Sequence, residues 1–241
     1  MKNKIYIGCA GFTGRDWKGF FFPHGLASKE ELSYYSTRFN AVEINSTFYR
    51  KPRVTTLENW YTRSSKDFRF FIKMPKTFTH TQKLKDAAQD ILEFCSYLQT
   101  GLNEKLAGFL YQFPPSFHYS PENLETVLKN IPPGFTSVTE FRHESWWLSD
   151  AAKVLADRSI VFAGVSYPGR IPNEVITVHP KIAYYRLHGV PVMFKSEYNA
   201  QFLSEIAEKI KESGREFYVF FNNTWGTAAL KNGLDLMKII Q

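Results

Sequence analysis

Tyr184-Tyr185-Arg186-Leu187-His188 is the stretch that decides how this chain reads. It has the aromatic and branched composition of a buried strand, yet it carries an arginine and a histidine two positions apart. Successive strand side chains point to opposite faces, so Arg186 and His188 share a face. The same parity recurs along the chain. Val42-Glu43-Ile44-Asn45 pairs Glu43 with Asn45, and Phe71-Ile72-Lys73 brings Lys73 to the face of Phe71. Val138-Thr139-Glu140-Phe141-Arg142 pairs Glu140 with Arg142, while the runs ending in Gln112 and Asn222 each close on a polar residue. Polar groups placed repeatedly at strand carboxyl ends are the signature of a parallel barrel that builds a site at one mouth.

Outward from these stretches the chain alternates. Strand patterns fall at 4–9, 41–45, 68–74, 107–112, 137–142, 160–165, 182–188 and 216–222. Helical patterns lie between them at 29–39, 54–64, 84–100, 121–130, 149–157, 197–213 and 227–240. Ser28 and Ser120 read as helix starts, Ser120 with Pro121 in the first turn. Gly101 and Gly214 read as residues just past helix ends. Eight such units predict an α/β fold, a single (β/α)8 TIM-type barrel domain over residues 1–241. The sixth crossover, 166–181, holds three prolines and little helical period, which predicts a loop. Gly8, Gly11 and Gly14 lack the spacing of a dinucleotide fingerprint, against an open doubly wound sheet.

The 241 residues are 44% hydrophobic, enough for a large core. Cys9 and Cys95 are too few for a disulfide framework and read as buried thiols. Met1-Lys2-Asn3-Lys4 runs directly into the first strand without an apolar signal region, and no apolar run approaches a membrane span. A soluble, cytoplasmic protein with no membrane partner is the expectation. The net charge of +7 is uneven: ten basic residues between Arg50 and Lys85 face Glu58 and Asp67 only, a local +8. Such a patch suits phosphates or nucleic acid as readily as a solvated surface.

Within the mouth, Glu43 and Glu140 are candidate general acid and base, or partners of Lys73, Arg142 and Arg186 in ion pairs. Lys73 favours phosphate contact or a salt bridge, with Schiff-base chemistry as the second reading. Lys73, Arg142 and Arg186 against the two glutamates leave the mouth at +1 with His188 neutral, which favours an anionic ligand. The six histidines show no local metal-binding spacing, so no metal or cofactor is predicted; a divalent ion on Glu43, Glu140 and His188 is left open. Aromatic residues after strands, Tyr49 and Trp146 above all, suit stacking on a base or sugar.

Seven ordered motifs resemble the YecE-like family, a domain of unknown function (number 72). They are Gly8-Cys9-Ala10-Gly11-Phe12 with Trp17 to Pro23, Val42 to Tyr49, Phe70 to Pro75 with His80, Tyr111 to Phe117, Glu140 to Trp146, Tyr184 to Gly189, and Tyr218 to Asn223. The resemblance implies a TIM-type barrel of unestablished activity. The polar residues it implies are Glu43, Asn45, Tyr49, Lys73, His80, Gln112, Glu140, Arg142, Trp146, Arg186, His188, Asn222 and Asn223. Relatives usually carry Asp after the paired asparagines, where this chain has Thr224, and often Thr-Ser and Trp where it has Cys9-Ala10 and Phe12. The function expected is an enzyme, a hydrolase, lyase or isomerase, on an anionic phosphate-bearing substrate. In that reading Glu43, Lys73, Glu140 and His188 are catalytic, while Asn45, Tyr49, Gln112, Arg142, Trp146, Arg186, Asn222 and Asn223 bind substrate. The alternatives are a nucleic-acid-binding protein using the 50–85 segment and a non-catalytic binding barrel.

Overall fold

A computed structural model of the chain describes residues 4–241; Met1-Lys2-Asn3, read above as leading into the first strand, lie outside the described residues. The elements follow the alternation expected. They run β1 (Ile5–Cys9), α1 (Glu31–Tyr35), β2 (Ala41–Ile44), α2 (Val54–Arg63), β3 (Arg69–Lys73), α3 (Ala88–Leu102), β4 (Leu106–Gln112) and α4 (Pro121–Asn130). Then come β5 (Ser137–Glu140), α5 (Ala151–Asp157), β6 (Ile160–Phe162), β7 (Gly164–Ser166), β8 (Ile182–Leu187), α6 (Ala200–Glu212), β9 (Glu216–Phe221) and α7 (Ala228–Ile240). All strand pairs are parallel, in two sheets ordered β1-β9-β8-β7 and β2-β3-β4-β5-β6.

The run expected as the sixth strand is divided in two. β6 pairs with β5 and β7 with β8, and Ala163 between them donates its N–H to Thr139 O at 2.8 Å. One extended segment thus passes from one sheet to the other. At the opposite edges a parallel bridge links Ala10 to Glu43. Residues 167–181 contain no helix, as the three prolines predicted.

Side-chain parity separates two cores. Tyr185, Leu187, Phe217, Val219 and Phe221 pack outward with the helices. Tyr6, Phe71, Leu110, Val138, Val161, Tyr184, Tyr218 and Phe220, drawn from both sheets, form a second, inner cluster. Its floor is aromatic: Tyr6 stacks on Tyr218 at 4.8 Å, and Phe71 meets Tyr184 at 4.7 Å and Tyr218 at 4.9 Å. Gly108 makes room for it, since a Cβ there would stand 2.8 Å from the Phe71 ring and 2.5 Å from Thr136 O. Charged side chains on the same parity lie at either end of this floor: Arg69 and Glu216 at the strand starts, against Tyr6 and Tyr218, and Glu43, Glu140 and Arg186 toward the strand carboxyl ends.

Two helix-end readings part company. Ser120 caps α4, accepting from Asn123 N at 3.1 Å, and Gly214 (φ +66°) lies just past α6, both as expected. Ser28 instead opens a short 3-10 turn without a side-chain cap. Gly101 lies inside α3 rather than beyond it, because a Cβ at that position would press to 2.5 Å from Leu57 Cδ1. Here glycine serves the close approach of α2 and α3. The end of α2 is instead held by Lys105, buried, whose ammonium donates to Tyr61 O (2.6 Å), Ser64 O (2.9 Å) and Ser64 Oγ (3.0 Å). A cation on orphaned helix carbonyls satisfies both the hydrogen bonds and the helix dipole. Lys105→Met should therefore destabilise the fold by about 1–3 kcal/mol, the cost of leaving buried carbonyls unpaired. Urea unfolding against the parent checks this.

Candidate active site

The polar layer begins with Arg186, whose side chain is 1% exposed. One end of its guanidinium donates to Glu43 Oε1 at 2.6 Å, the other to Glu140 Oε2 at 2.6 Å. Tyr184, two residues back on β8, donates its hydroxyl to Glu43 Oε2 at 2.6 Å. Arg142 Nε pairs with the remaining oxygen, Glu140 Oε1. All four carboxylate oxygens are thereby engaged. Register explains the convergence: Gln112 stands opposite Glu140, Phe71 opposite Glu43 and Phe220 opposite Arg186, so the charged residues rise directly beside the aromatic floor.

The electrostatics follow from burial. Removal from water works to raise the pKa of Glu140, but Arg142, Arg186 and His188 outweigh it and hold the carboxyl well below its usual range. Glu140 is thus a fixed anion. Burial pushes the Tyr184 hydroxyl up, and the neighbouring Glu43 adds to it, so Tyr184 stays protonated and donates. His188, fully buried, falls to about 3, first through burial and then through Arg142. Arg142 Nη2 lies 3.2 Å from His188 Nε2, and the Asn222 amide lies 2.8 Å from Nδ1. The amide atom at Nδ1 is Asn222 Nδ2, a donor, and Glu140 Oε2 lies 3.5 Å from Nε2, so neutral His188 accepts at Nδ1 and turns its Nε2 proton toward Glu140.

Above this layer the charges are no longer paired. Lys73, half-buried at the end of β3, rests its ammonium 4.2 Å over the Phe48 ring, with no hydrogen-bond or carboxylate partner among the described residues. Burial, then Arg186, lowers its pKa to about 8. His80 stands edge-on to the same ring at 4.9 Å, in the π-helical turn Thr77–Thr81. Thr79 Oγ1 lies 3.4 Å from Pro75 O and 2.9 Å from His80 Nδ1. The hydroxyl can donate to the carbonyl and accept from Nδ1–H, leaving Nε2 a bare acceptor. Burial, then Lys73, brings His80 to about 4. Beyond the turn, Lys83, Leu84 and Asp86 all adopt positive φ (49°, 64° and 52°). Such backbone is sparsely populated by non-glycine residues and concentrates at functional segments, as π-turns do.

The remaining expected residues divide. Asn45 Oδ1 is buried without a partner, Gln112 Nε2 donates to Phe113 O at 2.8 Å, and Tyr49 is 83% exposed, its ring 5.1 Å from Phe48. Trp146 is not a stacking platform: it is 1% exposed, lies 3.7 Å from the Phe141 ring and donates Nε1 to Phe117 O. Asn223 points away, donating to Ser196 O (2.9 Å) and Asn232 Oδ1 (3.0 Å), where it ties β9 to α7. One residue after Asn222, it takes the opposite parity. Arg186 was expected to hold an anion, but with both guanidinium ends on carboxylates and no exposed surface it neutralises the layer beneath. Phe48 is one of the aromatic residues after strands that the sequence offered, whereas Tyr184 and Tyr167 had not been singled out. Tyr184 shares the parity of Arg186 and was legible; Tyr167, whose ring supports the Arg142 guanidinium at 4.2 Å, comes from the irregular crossover and was not.

Among the described residues, no group of three or more His, Cys, Asp or Glu side chains stands close enough to share a metal ion. A cation on Glu43, Glu140 and His188 would have to displace Arg186 and Arg142. The cations of the 50–85 segment include some at each end of β3: Arg69 opens the strand over the Tyr6 ring and Lys73 closes it, while Arg63 on α2 donates to Lys29 O. No helix of the described chain is long and apolar enough to cross a membrane.

A family model described as a protein of unknown function, DUF72, matches residues 6–241. The chain belongs to that family. Its fold overlays a DUF72 protein from Thermotoga maritima with a TM-score of 0.86, at 28% identity over 99% of both chains. UPF0759 protein YunF of Bacillus subtilis is 23% identical over 98% of this chain and 94% of its own length. UPF0759 protein YecE of Escherichia coli (strain K12) is 27% identical over 67% of this chain and 57% of its own length. This DUF72 member thus shares its fold with relatives along essentially its whole described length.

Two outcomes follow for stability. Arg186→Met should cost roughly 3–5 kcal/mol, because it strands two buried carboxylates, whereas the exposed Arg170→Ala should be near neutral by urea titration. The folded-state pKa of His188 is lowered, so the unfolded chain takes up its proton first on acidification. Its contribution is intact above the unfolded value near 6.5 and drains toward 3, at about 1.4 kcal/mol per pH unit. Glu140, also lowered, adds a second loss below the ordinary glutamate range. Thermal melts from pH 7 to 4 should show a falling midpoint, less steep in His188→Asn.

Proposed function

We propose that the two sheets are sections of one (β/α)8 barrel whose carboxyl-end mouth binds and acts on an anionic, phosphate-bearing small molecule, as a hydrolase, lyase or isomerase. The passage of the chain through Ala163 and the Ala10–Glu43 bridge support the barrel reading, as does the inner core shared by both sheets. One observation carries the ligand reading. Glu43 and Glu140 are offset by Arg186 and Arg142, which leaves the Lys73 ammonium unneutralised at the mouth. Arg142 is among the charges acting on Lys73, and Asn45 Oδ1, without a partner, can accept from a hydroxyl of the ligand. A half-desolvated cation without a counter-ion gains most from a phosphate or carboxylate.

Nucleic acid is less favoured, because the cations of the 50–85 segment divide between both ends of the strands. His80 and Lys73 take over the proton-moving roles expected of Glu43 and Glu140, whose oxygens are engaged in the buried layer. His188, neutral and held between Arg142 and Asn222, positions Arg142.

Titration calorimetry at low salt with inorganic phosphate and with phosphorylated sugars tests the reading. Binding is expected in the parent and should weaken above pH 8, as Lys73 loses its proton. Lys73→Met should reduce affinity by roughly tenfold to a hundredfold, the loss of one charged hydrogen bond, and Arg63→Ala should change it little. Equal losses in both variants would place the anion elsewhere.

A further inference from the structure

We propose that Lys73 is an imine-forming nucleophile and that the molecule bound at the mouth is a phosphate-bearing aldehyde or ketone. This rests on the anion-binding reading above and narrows its substrate class.

Three features of the geometry point there. Lysines in ion pairs are poor nucleophiles, because a carboxylate keeps the ammonium protonated; Lys73 has no such pair among the described residues. Its Nζ stands over the face of Phe48 rather than in water, so it is half-desolvated and still reachable. The groups facing it from the neighbouring elements are Arg186 on β8, Glu43 on β2, Glu140 on β5, Arg142 beyond β5, and His80 on the π-turn. The two carboxylates among them already hold the two arginines, which blunts their pull on the Lys73 proton. A pKa of about 8 agrees with this balance. It gives one group both tasks: the protonated fraction draws the anion in, and the neutral fraction attacks.

The chemistry balances without a co-reactant. The Nζ lone pair adds to the carbonyl carbon, and the C–O π pair moves to oxygen, which takes a proton. Nitrogen gives up both its protons in turn, one to the alkoxide and one to the hydroxyl as it leaves as water, and its lone pair closes the C=N bond: amine plus carbonyl gives imine plus water. With its proton on Nδ1 toward Thr79 Oγ1, His80 presents Nε2 as an acceptor on the adjoining turn, suited to carry the proton from nitrogen to the departing hydroxyl. Arg142 is the cation left to hold the phosphate once Lys73 is neutral.

Pyridoxal 5′-phosphate, an anionic aldehyde, is the probe. The intact protein is incubated with it, reduced with borohydride and mapped by peptide mass spectrometry. At pH 8 the free-base fraction of a lysine near 8 exceeds that of an ordinary lysine by on the order of a hundredfold. One dominant adduct at Lys73 is expected, with yield rising through pH 8 and falling when inorganic phosphate competes. Phosphate affinity should run the other way with pH. Lys73→Arg, which keeps the charge, should lose the adduct and retain phosphate binding, with its fold checked by circular dichroism. Adducts spread evenly over surface lysines, with phosphate binding intact, would overturn the imine while leaving the anion site standing. Equal labelling by pyridoxal without its phosphate would overturn the anion site instead. Absence of both phosphate binding and a Lys73 adduct would overturn both.

Discussion

A guanidinium with 1% of its side chain exposed sets the terms for the whole interior. Burying Arg186 is costly unless each end finds an anion, and those anions are costly unless each of their oxygens finds a donor. Glu43 and Glu140 meet the first demand, Tyr184 and Arg142 the second. The residues come from β2, from β5 and just beyond it, and from β8, so elements of both sheets must be held in one register for the layer to close. The aromatic floor of Tyr6, Phe71, Tyr184 and Tyr218 fixes its depth. Loss of any one member strands a charge rather than merely a contact, which makes the layer a strong determinant of a single register.

What lies above that layer differs in kind. The buried groups pair with one another, with Arg186 Nε left without a partner, and are held in one protonation state: Glu140 as an anion, Tyr184 and His188 as neutral species. Lys73 and His80 keep unused capacity, an ammonium without an acceptor among the described residues and, with the imidazole proton on Nδ1, a ring nitrogen free to accept. Both pack against Phe48, one over its face and one against its edge. The turn that carries His80 runs into three left-handed residues whose strain is offset by the burial of Thr79, Leu84 and Ala87. Paired charges below and less fully partnered groups above distinguish the two levels.

Strand parity was legible because a period of two survives in any sequence that builds a half-polar strand. It placed Glu43, Glu140, Arg186, His188 and Asn222 on the inner face, and it could have placed Tyr184 there too. The strand–helix alternation and the helix-free crossover were legible for the same local reasons. Trp146 and Asn223 misled because exposure is not a local property. A tryptophan after a strand looks free until Phe117 and Phe141 close on it, and an asparagine beside Asn222 looks paired with it until parity turns it toward α7. Gly101 reads as a helix end until the helix it faces is known.

The sequence by itself determined the alternation of elements, the side of each strand on which charge would stand, and the kinship of the chain. Only the tertiary structure decided which charges cancel. Ion pairing depends on distances between strands far apart in the chain, 143 positions in the case of Glu43 and Arg186, and no local pattern encodes them. That is why Arg186 reads as a ligand-binding arginine in the sequence and becomes a buried counter-ion in the fold. The same physics leaves Lys73, at the carboxyl end of β3, as a half-buried cation without a carboxylate partner among the described residues.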